Sequence, residues 1–141
     1  MFRLRLLTTA VVAATVAGCG GSDETKQPAP SVSGDQRGIL ATVDALQTAS
    51  RRDDARRICT QLFTKRLATS IRESSKQSCE AEVHETLTSP DAQLSVARKI
   101  AVKGSRATAT VHEQNGKVST VSFVKDGDRW RIERVTPVKS P

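Results

Sequence analysis

Apolar residues along this chain change their spacing twice. Between Leu6 and Ala17 they run almost unbroken, interrupted only by threonines. Between Ile39 and Leu87 they recur at three- and four-residue steps, and beyond Leu94 they tend to alternate with polar ones. The first pattern is too short to cross a bilayer, which takes about 20 apolar residues. The second is the signature of amphipathic helices, and the third that of half-buried strands.

Three helices are expected. Ile39, Leu40, Val43 and Leu46 form the stripe of the first, with Asp35 as its N-cap. The second begins near Asp53 and carries Ala55, Ile58, Cys59, Leu62, Phe63, Leu67 and Ile71. The third runs from about Ser75 to Leu87, with Cys79, Val83 and Leu87 aligned. Ser89-Pro90-Asp91 ends the helical region.

Four strands follow, over 94–102, 107–113, 117–125 and 129–135, joined by turns at Gly104, Asn115-Gly116 and Asp126-Gly127. A two-residue Asp126-Gly127 turn pairs Phe123 with Trp130 and Val121 with Ile132, and a two-residue Asn115-Gly116 turn carries the same face on to the second strand. This puts those four residues on one face together with Thr108, Thr110 and His112. The opposite face then receives Ala107, Ala109, Val111, Ser122, Val124, Arg129 and Arg131. Simple pairing puts Ile100 and Val102 there too, so either a bulge re-aims the first strand or that face is itself partly buried.

The ends of the chain divide it further. Arg3 and Arg5 precede the apolar run, and Val16-Ala17-Gly18-Cys19 follows it. A basic start, a short apolar segment and small residues before a cleavage point describe an export signal. The sequence ahead of Cys19 resembles the lipobox of bacterial lipoproteins, which implies cleavage after residue 18 and a diacylglyceryl group on Cys19. Residues 19–34, GlyGlySer- and Pro-containing and almost without large apolar side chains, cannot bury a core and read as a tether spanning about 20 Å. Residues 35–141 form the domain.

The cysteine count fits export. Of three cysteines, lipidation takes Cys19, and Cys59 and Cys79 remain to pair in an oxidising compartment. Charge narrows partners less. The chain carries a net +7, and without Arg3 and Arg5 there are 20 basic against 15 acidic residues. Arg51, Arg52, Arg56, Arg57, Lys65, Arg66 and Arg72 crowd the second helical segment. They read either as a solvated face or as a patch for anionic lipid or wall polymer. Nucleic acid is not expected as a partner outside the cell.

Val121-Ser-Phe-Val-Lys-Asp-Gly-Asp-Arg-Trp-Arg-Ile132 resembles the closing hairpin of NTF2-like domains of the ketosteroid-isomerase-like kind, especially those in small bacterial lipoproteins. Helices first and sheet after also match over about 35–137. The resemblance implies an α+β fold in which N-terminal helices pack on a curved four-stranded antiparallel sheet, a cone often holding a pocket. His112, Phe123 and Trp130 would line it. Many such domains dimerise through the sheet, and the small residues Ala107, Ala109 and Ser122 would let a second sheet approach. Arg129 and Arg131 on that face oppose this, so homodimer and monomer both stay open.

The isomerases of this kind use a tyrosine and an aspartate, and this chain has no tyrosine. Asp44, His112 and Glu113 are the available acid–base groups, and His84 stands alone beside Val83. No catalytic residue, metal ligand or cofactor is assigned. The expectation is a lipid-anchored protein on the extracytoplasmic face of the cell membrane. Its domain would be a non-catalytic binding or accessory module for an unidentified protein or small molecule. The alternatives are an isomerase or hydrolyase acting on a small apolar molecule, or an envelope-surface protein.

Overall fold

The computed structural model describes residues 33–138. The expected signal, Cys19 and all but the end of the tether lie outside the described residues. Helix α1 (Gly34–Arg51) opens with a capping box. Ser33 Oγ accepts from the Gln36 N–H and the Gln36 side chain accepts from the Ser33 N–H. The cap is therefore Ser33, two residues ahead of the expected Asp35, and Gly34 belongs to the helix rather than to the tether. Ile39, Val43 and Leu46 are buried along its inner face.

The expected second helix is two helices. A short α2 (Ala55–Arg57) widens into a π-helical turn (Ile58–Leu62), closed by the Phe63 N–H donating to Ile58 O at 2.9 Å. The chain then leaves the helix. Phe63 is extended and forms a one-residue parallel bridge with Ile132, and the Thr64 N–H donates to Ile132 O at 2.9 Å. Thr64 caps α3 (Lys65–Ser75) by accepting from the Leu67 N–H. Threonine competes for backbone groups, which disfavours a helix interior and favours a cap. The third expected helix starts later than Ser75, because Lys76 takes φ 61° and Ser78 caps α4 (Cys79–Thr86).

Strands β1 (Leu94–Lys103), β2 (Arg106–Glu113), β3 (Val118–Asp126) and β4 (Arg129–Pro137) form an antiparallel meander in sequence order. The Phe63 bridge on the free edge of β4 adds a fifth strand position that the sequence pattern did not foresee. The fold is α+β, with α1 packed against β1 and β4 and the π-turn and α3 against β4.

Two turns differ from expectation, with different consequences. At the first, the Gly116 N–H donates to Glu113 O (2.9 Å) and the Glu113 N–H to Lys117 O (2.8 Å), with Gly116 at φ 82°. This is a three-residue loop, a type I turn closed by a left-handed glycine, instead of the two-residue Asn115-Gly116 turn. The pairing moves by one residue, which turns every side chain of a strand to the other face. Ala107 pairs with Phe123, Ala109 with Val121 and His112 with Val118. Ala107, Ala109 and Val111 are thus in the core, and Thr108, Thr110 and His112 are on the outer face.

At the second, Asp126 pairs with Arg129, so the central residues are Gly127, at φ 61°, and Asp128. Phe123 consequently pairs with Ile132 instead of Trp130, and Val121 with Val135 across a bulge at Glu133. A slip of two residues preserves the face, and Val121, Phe123, Trp130 and Ile132 are all buried together. In β1, two extra residues lie between Val96 and Ile100, whose partners are Val111 and Ala109. Ile100 and Val102 share a face with Ala107, Ala109 and Val111, and that face is the buried one.

Candidate functional site

The three residues expected to line an internal pocket do not converge. Phe123 and Trp130 are core residues, 1% and 4% exposed. His112 is on the opposite side of the sheet, exposed and beside Ser95 and Val118 across the ladders. Trp130 is held from above by α1. The Thr42 hydroxyl donates toward Trp130 O at 2.9 Å and lies 3.0 Å from Gly38 O. The small apolar residues expected to invite a second sheet lie under the helices. The outer face instead carries Thr108, Thr110, His112, Thr120 and Ser122.

The other acid–base candidates are dispersed. Asp44 is exposed on α1, and Glu113 accepts from the Asn115 side-chain amide in the β2–β3 loop. His84 has a partner that the sequence did not signal. Its Nδ1 lies 2.6 Å from Asp53 Oδ1. Asp53 occupies a left-handed position at φ 56° between α1 and α2, a conformation aspartate tolerates better than most residues. The hydrogen bond with His84, helped by Thr88, holds the Asp53 carboxyl below the ordinary carboxylate range. Both side chains are more than half exposed, so this is a surface pair. Among the described residues no three His, Cys, Asp or Glu side chains gather as metal ligands would.

Cys59 and Cys79 form a disulfide, with Cα atoms 6.1 Å apart. Cys59 is in the π-turn and Cys79 is the first residue of α4, so the bond staples the two halves of the helical layer. Closing a loop with a sequence separation of 20 stabilises a fold by about 3 kcal/mol in the chain-entropy treatment.

Two shallow recesses lie on this side of the helical layer, the second of them beside the disulfide. One shallow recess of about 380 Å³ is lined by Asp54, Arg56, Arg57, Thr60 and Gln61. A second, of about 250 Å³, has Thr60, both cysteines, Thr69, Arg72 and Glu80 on its walls. Thr60 lines both, so the two adjoin along the outer side of α2, the π-turn and α3. Asp54 Oδ1 accepts the Arg57 N–H as the cap of α2. Arg131, from β4, reaches the back of this region, its Nη1 donating to Thr60 O at 3.1 Å. Its Nε lies 2.9 Å from Asp126 Oδ2, close enough for an ion pair although the N–H is not aligned as a hydrogen bond.

The basic residues of the second segment were visible in the sequence. Their arrangement around a groove was not, because it depends on the π-turn and on the break at Phe63. No helix among the described residues is long and apolar enough to cross a membrane. Compared with protein-family models, characterised proteins and solved structures, the chain matches none.

Proposed function

We propose that this protein is a lipid-anchored module on the extracytoplasmic face of the cell membrane, held by Cys19 and working by binding rather than by catalysis. The observation that carries this reading is the Cys59–Cys79 disulfide. A bond of this kind persists in an oxidising compartment, and it leaves Cys19 as the one unpaired cysteine, directly behind the small residues a lipobox requires. Two acyl chains suffice for stable anchoring where one does not.

The binding role is supported by the interior. The isomerase or hydrolyase alternative needs two ionisable groups meeting in an apolar pocket, with His112 as one of them. His112 faces outward, and Phe123, Trp130 and Ile132 are buried core residues. The Val121–Ile132 hairpin and the order of elements support reading the domain as NTF2-like. The recesses lined by Arg56, Arg57 and Arg72 lie on the helical side, away from the buried core.

Expression of the wild-type precursor and of Cys19→Ser, followed by fractionation, tests the anchor. Wild type is expected with membranes and the variant in the soluble fraction. Equal membrane association of the two would remove the reading. Turnover of an apolar ketone by the wild-type domain would contradict the non-catalytic part of the reading.

A further inference from the structure

The positive charge of this chain is concentrated in one stretch. Residues 51–76 contain eight basic and three acidic residues, a net +5 out of the +7 of the whole chain. Six of the eight are arginines. Two of the three acids are already engaged, Asp53 with His84 and Asp54 as the α2 cap. Arg56, Arg57 and Arg72 have no ion-pair partner among the described residues, and all three line the adjoining recesses. Thr60, common to both, sits between them.

We infer that this groove binds a linear polyanion bearing repeated phosphate groups, laid across Thr60 between Arg56 and Arg57 at one end and Arg72 at the other. The inference deepens the binding reading above and rests on it. Guanidinium forks match phosphate oxygens in pairs, which suits an arginine-dominated surface to phosphate better than a lysine one. A membrane-docking face would present apolar anchors. Among the described residues the exposed large apolar ones are Val135 and Val138, at the end of β4 and not in this segment. Asp54 and Glu80 are the acidic residues on the walls of the two recesses, one in each.

Binding of short linear polyphosphate to the full chain carrying Cys19→Ser, read by calorimetry at several salt concentrations, tests this. Because the probe is in solution, the outcome does not depend on whether Cys19 is lipidated. Arg56→Ala with Arg57→Ala, and separately Arg72→Ala, should each weaken binding at least roughly tenfold. Each arginine removed should lower the slope of log affinity against log salt by about one. Lys99→Ala with Arg134→Ala removes equal charge from the sheet and should leave affinity unchanged. Equal weakening by the sheet variants, or no binding, would overturn the proposal. So would binding to phosphatidylglycerol vesicles, with polyphosphate inert, that depends on the same arginines.

Discussion

Gly38 of α1 faces the Trp130 ring so closely that a Cβ there would lie 2.7 Å from Trp130 Cδ1. Glycine in a helix interior normally costs about 1 kcal/mol relative to alanine. Here that cost allows the helix backbone to rest on the indole, which is 4% exposed and carries the Thr42 hydrogen bond on its carbonyl. Gly38→Ala should therefore destabilise the fold by about 1–2 kcal/mol, overpacking outweighing the helix-propensity gain. Urea denaturation followed by tryptophan fluorescence measures this. A stabilised variant would mean that α1 can move away from the sheet at no cost.

Ser50, near the C-terminal end of α1, is 2% exposed, and its hydroxyl has no hydrogen-bond partner among the described residues. A buried hydroxyl without a partner costs free energy, and serine is a poorer helix former than alanine. Ser50→Ala should raise stability by about 1 kcal/mol. A loss of stability in the same denaturation experiment would indicate a partner that this arrangement does not include.

Asp35 and Lys125 pair across the α1 start and the end of β3, with Nζ 2.8 Å from Oδ1. The hydrogen bond from Lys125 holds the Asp35 carboxyl below its ordinary 3.8. The same bond raises Lys125 above 10.5. The pair's contribution is therefore complete between those two ordinary values. It is lost as pH falls through the depressed Asp35 value, and again as pH rises through the elevated Lys125 value. Exposed pairs contribute little energy, so the midpoint is the better readout. Carboxyl NMR should place Asp35 below 3.8 in the wild type and closer to it in Lys125→Met. An unchanged midpoint in the variant would contradict the pairing.

Much of this architecture was legible in the residues, and the failures have identifiable causes. The order of helices and strands followed from the change in apolar spacing, and the Cys59–Cys79 bond from cysteine parity. The α1 cap was present as Ser33-x-x-Gln36, a capping-box pattern hidden at the edge of a segment read as tether. Phe63, Leu67 and Ile71 continued the helical four-residue step, so the stripe concealed the break that Thr64 makes. The position of His112 depended on one loop residue. Gly116 suits both a two-residue turn and a left-handed closure, and the choice between them decides which face of β2 is buried. The candidate pocket was lost at that point. The groove beside the disulfide required the π-turn, for which no local signal exists in Ile58–Leu62.

The anchor on Cys19 is the claim on which location and role both depend, and the mass of the N-terminal peptide tests it most directly. Protein extracted from membranes of the exporting cell and digested should yield a peptide that begins at Cys19 and carries the added mass of a diacylglyceryl group. An unmodified peptide beginning at Cys19 or elsewhere, or one retaining residues 1–18, would contradict the anchor.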